Sequence, residues 1–197
     1  MKKIMFNDRY GLTQAVLEGK KTMTRRIIPL CENDLNFLKI SERGEWLFSS
    51  RTCLDGAYPA YNVGEELAVA QSYKELIDDG YLIPVEYGES AGYCNKMFVK
   101  ADRMPHCIRI TDVKAERLQN ISDDDCMKEG IYYDNPFPEL SDRDVYAFSV
   151  ISKKNRQTTW WSPTPRIAFE NLIIHMMGKK VWKSNPYVWA YTFELVK

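Results

Sequence analysis

An α+β fold with a strongly bent, barrel-like mixed sheet is predicted by three features of this 197-residue chain. Several strand signals of mixed spacing run along it, with no repeat and no low-complexity tract. Three segments of helical character lie among them. The longest strand signal changes parity midway, which calls for a bulge and a bend in the sheet.

Lys3 to Phe6 reads as a short first strand. A helix follows over about Asp8 to Glu18, where Leu12, Ala15 and Val16 share a face that Leu17 widens. Asn7 or Asp8 can cap its start, and Gly19 sits where helices often end in a left-handed residue. Lys21 to Ile28 reads as a strand ended by Pro29. Residues 31–62 show little periodicity and are read as an irregular insertion, with a hairpin around Glu45-Trp46-Leu47-Phe48. Val63-Gly64-Glu65-Glu66 is a turn feeding a strand with Leu67 and Val69 on one face. Asp78-Asp79-Gly80 signals a turn. Tyr81 to Tyr87, interrupted by Pro84, and Lys96 to Lys100 are strand candidates.

Cys107 to Leu118 is the longest strand signal. Ile108 and Ile110 share a face while Val113 and Ala115 have the other parity, so a bulge is expected near Thr111-Asp112. Ser122 caps a short helix in which Asp125 stands in for the Glu of a capping box, and Gly130 stops it. Residues 132–163 are a second irregular insertion, holding Pro136, Pro138 and the basic run Lys153-Lys154-Asn155-Arg156. Thr164-Pro165 opens the last helix, with Pro at its first position and a stripe of Ala168, Leu172, Ile173, His175 and Met176. His175 is read as an interior histidine of that stripe, and Trp160-Trp161 as core rather than a base-stacking surface. From Tyr187 to Val196, Tyr187, Trp189, Tyr191 and Phe193 alternate with Val188, Ala190 and Thr192, a pattern that suits a barrel wall. The whole, residues 1–197, is read as a single domain with two insertions.

Composition narrows the function classes. With 45% hydrophobic residues the chain can bury a proper core. Lys+Arg and Asp+Glu are 27 each, so a polyanion would have to be held by a local patch and not by the overall field. Cys31, Cys53, Cys94, Cys107 and Cys126 are odd in number and contain no CxxC. His106-Cys107 is not a zinc spacing, so neither a metal nor a cofactor is expected, and the thiols read as reduced. No apolar run approaches the roughly 20 residues of a membrane span. The apolar part after Met1-Lys2-Lys3 is shorter than a secretory core of about 7–15 residues. A soluble, cytoplasmic protein without a membrane partner is the expectation.

The densest chemistry is Gly19-Lys20-Lys21-Thr22-Met23-Thr24-Arg25-Arg26, with four cations and two hydroxyls. It sits at the negative end of the first helix, where the dipole favours cations. A solvated basic strand is the bland alternative to a binding or catalytic patch.

Four segments in order resemble the ASCH domain family of the PUA-like β-barrel superfamily. They are Gly19-x-Lys21-x-x-Thr24-x-Arg26 after a helix, then Tyr61-Asn62-Val63-Gly64-Glu65-Glu66-Leu67. Next comes Ile110-Thr111-Asp112-Val113 through Arg117-Leu118 to Glu129-Gly130, and finally Gly178 to Trp182 with Asn185-Pro186-Tyr187-Val188-Trp189. The last two are similar to a longer, phage-associated kind of ASCH protein. The family's general signature often has Glu where this chain has Thr24. Thr there resembles the small bacterial ASCH enzymes that hydrolyse acetylcytidine nucleoside. The resemblance implies a cationic cleft for a nucleoside or RNA-derived ligand and an amidohydrolase acting on an acylated cytidine. It carries a Thr, Lys and Glu set onto Thr24, Lys21 and Glu129, with Lys20, Arg25 and Arg26 as ligand-binding cations. A non-catalytic RNA-binding module, with Lys21, Arg25 and Arg26 on phosphate, is the alternative.

Amide hydrolysis needs a nucleophile, a base and a donor for the leaving amine. Lys21 can activate the Thr24 hydroxyl only when neutral, so its pKa must be depressed by burial or by neighbouring Lys20, Arg25 and Arg26. Glu129 at the end of the acidic helix is disfavoured by the dipole and needs cationic compensation. Arg26 is available to hold a substrate oxygen or that glutamate. Lys21 and Thr24 have opposite strand parity, so they share a site only if the chain bends after Gly19.

Overall fold

The computed structural model describes residues 1–32, 34–83, 87, 90–134, 145–152 and 156–196. In chain order the strands are β1 (Lys2–Ile4), β2 (Met23–Ile27), β3 (Asn36–Ile40), β4 (Trp46–Ser49), β5 (Leu54–Ala57), β6 (Glu66–Val69), β7 (Cys107–Arg117), β8 (Tyr132–Tyr133), β9 (Tyr146–Ile151), β10 (Gln157–Ser162) and β11 (Tyr187–Leu195). The helices are α1 (Leu12–Leu17), α2 (Tyr73–Asp78), α3 (Asp123–Lys128), α4 (Pro165–Met177) and α5 (Lys179–Ser184). The fold is therefore mixed α+β.

The central sheet runs β1-β6-β7-β11-β2. β1 and β6 are parallel and the remaining pairs antiparallel. The expected bulge is present: Thr192 faces Asp112 and Phe193 faces Ile110, so Thr111 is the extra residue. Among the described residues the backbone pairing does not close into a barrel, and β1 and β2 are the two edges. The edges nevertheless approach each other. Arg26 on β2 donates from Nη2 to the carbonyl of Met5, just past β1, at 2.6 Å. Phe6 packs inside this seam against Phe193, with ring centres 5.7 Å apart.

Several elements differ from the sequence expectation. The helix of residues 8–18 is a 3-10 turn, Asp8–Tyr10, then α1, with the chain turning at Gly11 between them. Asn7 caps the 3-10 turn by accepting from the Arg9 amide. The two irregular insertions each contain a three-stranded antiparallel sheet, β3-β4-β5 and β10-β9-β8. β3 is exposed at all its positions, so no inside–outside alternation marks it as a strand. The β4 aromatics lie against β11: Trp46 meets Trp189 edge-on at 5.1 Å and Phe48 lies 5.0 Å from Tyr187.

α2 was hidden in a short Ser-x-x-Glu signature, where Ser72 and Glu75 form a full capping box. α5 also lacks a sequence signal, having no buried residue. Tyr81 and Leu82 are bends, Ile83 is irregular and Tyr87 is a turn, so the described residues there form no strand, and Lys96–Phe98 is a 3-10 turn. The expected interruption at Pro84, the residues Pro136 and Pro138, and the run Lys153-Lys154-Asn155 lie outside the described residues.

α4 is as expected, capped by the Thr164 side chain with Pro165 in its first turn. Its Ala168, Phe169, Leu172 and Ile173 enter the core with Val188, Trp189, Tyr191 and Phe193 of β11. His175 is exposed instead of interior, lying against Trp160 with ring centres 4.5 Å apart. Trp160 and Trp161 are strand residues left 44% and 49% exposed, so they are not core. Among the described residues, no helix is long and apolar enough to cross a membrane. Nor could any group of three or more His, Cys, Asp or Glu among them hold a metal ion.

Candidate functional site

The chain leaves α1 through Gly19, whose φ of +69° is a left-handed conformation that few other residues adopt. The amides of Lys20 and Lys21 then both donate to the Ala15 carbonyl, at 2.8 and 2.9 Å. The Thr22 amide donates to the Lys128 carbonyl at 3.0 Å, tying the bend to the end of α3. Lys21 thus lies before β2 begins, in the bend that the parity argument demands. Glu129 is the C-cap residue of α3. Gly130 follows at φ +103°, and a Cβ there would come within 3.1 Å of the Leu12 side chain. The positive φ is what favours glycine there, and a Cβ would also crowd the Leu12 side chain.

Lys21 is 1% exposed and Glu129 5% exposed. Lys21 Nζ donates to Glu129 Oε2 and to the Glu129 carbonyl, both at 2.7 Å. Arg25 Nη1 donates to the other carboxylate oxygen, Oε1, at 3.0 Å. The expected anion at the wrong end of a helix dipole thus has two cations on it. Arg25 also donates from Nε to Glu116 Oε1 at 3.0 Å and from Nη2 to Asp125 Oδ2 at 3.3 Å. The register explains the reach to Glu116. Arg25 faces Ala190, and Ala190 faces Lys114 on β7, so the guanidinium passes over a methyl group toward Glu116.

The burial of Lys21 pulls its pKa below that of an ordinary lysine; Glu129 opposes the shift, while Arg26 and Arg25 add to it. For Arg25, burial acts downward but Glu129 and Glu116 outweigh it, so its pKa is raised. For Asp125, burial acts upward but Lys114, Lys128 and Arg25 outweigh it and hold the carboxyl below its ordinary range.

Lys21, Arg25 and Glu129 line a cavity of about 480 Å³. Lys21, Thr24, Arg25, Arg26 and Glu129 all contribute to its wall. The opposite wall is apolar, with Phe169, Leu172, Ile173 and Met176 from α4. A cavity lined from both faces of one strand must lie along that strand's open edge, and β2 is such an edge. Thr24 and Arg25, on opposite faces of β2, therefore both reach it, and Lys21 reaches it from the bend before β2. Thr24 is buried and makes no side-chain hydrogen bond among the described residues. The Phe6 ring centre lies 5.9 Å from Lys21 Nζ and 6.0 Å from Arg26 Cζ. Lys96 closes one end, donating to the Phe6 carbonyl and to Asp8 Oδ1, each at 2.6 Å.

Two expected roles change. Lys20 is not in this cavity; it pairs with Glu18 and lines a different recess beside α1 and β8. Arg25, not Arg26, holds the glutamate, and three carboxylates occupy it. Glu116, Asp125, Phe6 and Lys96 were missed by sequence reasoning. Asp125 completes only half of a capping box: its amide donates to Ser122 Oγ at 3.1 Å, while its carboxylate serves Arg25, Lys114 and Lys128. Three consecutive acids, Asp123 to Asp125, beside a buried-cation motif were the available signal.

In comparisons with known proteins, no family model matches the chain, and no curated protein or solved structure matches it either.

Proposed function

We propose that this chain is an ASCH-type domain of the PUA-like superfamily, whose edge cavity binds a nucleoside or RNA-derived ligand and hydrolyses the amide of an N-acylated cytidine. One observation carries the reading: a fully buried lysine, depressed in pKa, shares a cavity with a threonine and is hydrogen-bonded at 2.7 Å to a buried glutamate. Such a cluster costs folding energy, which suits a site built for proton transfer better than one built for stability. The near meeting of the sheet edges through Arg26 and Met5 supports the barrel-like assignment.

In this mechanism neutral Lys21 takes the Thr24 hydroxyl proton as Oγ attacks the acyl carbon. Arg26, whose guanidinium lines the cavity, faces the developing oxyanion. The C–N bond breaks and the cytidine amine receives the proton from Lys21, with Glu129 Oε2 as its exchange partner. Water then hydrolyses the threonyl ester, and the acid and free Thr24 are regenerated. The apolar α4 wall matches a flat base, and the polar wall matches its exocyclic amide.

The RNA-binding alternative asks Lys21, Arg25 and Arg26 to contact phosphate. The side chains of Lys21 and Arg25 are 1% and 2% exposed and already bound to carboxylates. Only Arg26 of the three keeps a guanidinium without a carboxylate partner among the described residues, which favours the small-ligand reading. Titration calorimetry with cytidine and with a short oligoribonucleotide, at low and high salt, tests the choice. The proposal expects cytidine to bind with little salt dependence. Oligonucleotide binding that falls steeply with salt, with no cytidine binding, would replace it by the RNA module.

A further inference from the structure

Cys31 and Cys53 lie in the first insertion, away from the cavity. Their sulfurs face each other, with Sγ–Sγ 2.6 Å, across 22 residues of sequence. The surrounding backbone holds both ends. The Cys31 amide donates to Asp55 Oδ2 at 2.7 Å. The Cys53 amide donates to Ser50 Oγ at 3.1 Å, and its carbonyl accepts from the Ser50 amide at 2.9 Å. Cys31 is exposed and Cys53 half-buried, so a small reagent can reach the pair. No other two cysteines are brought together among the described residues: Cys94 and Cys107 lie on other segments, and Cys126 is a buried residue of α3.

We propose that Cys31 and Cys53 are a dithiol oxidation site that forms a reversible disulfide by exchange with a low-molecular-weight disulfide such as oxidised glutathione. The bond clips the base of the segment carrying β3 and β4. That segment already rests on the central sheet: Phe37 donates its amide to Tyr187 Oη at 3.0 Å, and the Leu35 carbonyl accepts from Arg117 Nη2 at 2.6 Å. The hydrogen bond with Cys53 pushes the Cys31 thiol up to about 12, so Cys53 attacks first; the mixed disulfide on Cys53 removes that thiol partner and leaves Cys31 as the resolving sulfur. The Cys53 sulfur attacks glutathione disulfide, breaks its S–S bond and releases one glutathione thiol. Cys31 then attacks the mixed disulfide and releases the second. Two protein thiol protons end on two glutathione molecules, and one S–S bond has replaced another.

The test equilibrates the folded full chain in glutathione buffers from fully reduced to strongly oxidised. Free thiols are alkylated, and an unreduced digest is read by mass spectrometry. The expected result is a cross-linked peptide joining Cys31 to Cys53, reversed by reductant, with Cys94 and Cys107 still alkylated. Cys31→Ser should instead trap one glutathione on Cys53. The cross-linked form should melt about 5 °C or more above the reduced form, because a loop of this length is closed in the unfolded chain. Full alkylation of both cysteines in the most oxidised buffer would overturn the proposal. So would cross-links to Cys94 or Cys107 in equal yield. An unchanged melting temperature in the cross-linked protein would remove the clip.

Discussion

Lys21 Nζ sits 2.7 Å from both the carbonyl and the Oε2 atom of Glu129, so one buried ammonium holds the C-terminal end of α3 against the start of β2. The lysine is a structural tie, and in the proposed mechanism also the proton-transfer group. Its pKa, depressed chiefly by burial, has two measurable consequences.

They are the pH profiles of turnover and of folding stability. In the proposed mechanism the neutral amine is the base, and its fraction rises with pH through the depressed pKa. Turnover should therefore rise with pH and level off below 10.5, the ordinary lysine value. Folding stability should rise over the same window, because the unfolded chain there binds the proton that the folded chain has lost. Lys21→Met should flatten both curves. A turnover profile without a basic limb would show that Lys21 is not the base.

Arg25 is the centre of the acidic network. Arg25→Met leaves Glu116, Asp125 and Glu129 without their shared cation, and should cost about 3–5 kcal/mol in denaturant unfolding. Arg25→Lys should rescue only a minor part, since an ammonium cannot make the fork to Glu116 and Glu129 together. Near-complete rescue by lysine would mean that charge, and not the guanidinium geometry, holds the site.

How much of this was legible differs by element. Strands rich in apolar residues were readable: β11, β6 and the bulged β7 all form, although β6 and β11 bury both faces rather than one. The Gly19 bend and the α4 cap were readable because each rests on a local rule about a single residue. Of the two small sheets only the hairpin around Glu45 to Phe48 was readable, present as β3 and β4; β3 itself is exposed throughout and gives no period. At the site, Lys21, Thr24, Arg26 and Glu129 were chosen from the motif and do line one cavity. The loss of Arg25 to three carboxylates was not readable. It depends on Ala190 leaving a path across β11 to Glu116, which only the strand register reveals. Nor could spacing show that an edge strand lets both of its faces reach one cavity.

Asp125 predicts an acid sensitivity. Its pKa is held below the ordinary 3.8, mainly by Lys114 and Lys128 against the burial cost. A depressed carboxylate contributes its stability above the unfolded pKa and loses it as pH falls through the folded one. Asp125→Asn should thus cost about 1 kcal/mol at neutral pH, and the difference from wild type should shrink as pH drops below 3.8. A gap that stays constant down to strongly acidic pH would place the effect in packing.

Arg26 bridges the two sheet edges through the Met5 carbonyl. Arg26→Ala should cost about 1 kcal/mol and loosen β1 more than the sheet centre. Hydrogen exchange should show faster exchange in Lys3 and Ile4 amides, with β7 and β11 amides unchanged. Uniform acceleration across the sheet would mean that the seam is not a local element.

The most direct measurement is release of cytidine from acetylcytidine, followed by chromatography, for wild type, Lys21→Ala, Thr24→Ala and the double variant. Wild type should turn over, each single variant should lose most of the rate, and the double variant should be little worse, because groups sharing one step are non-additive. Product binding should change little in Thr24→Ala, a lone hydroxyl being worth roughly 0.5–1.5 kcal/mol. Wild-type activity that survives undiminished in Thr24→Ala would contradict the nucleophile assignment, and no wild-type activity on any acylated cytidine would contradict the hydrolytic function itself.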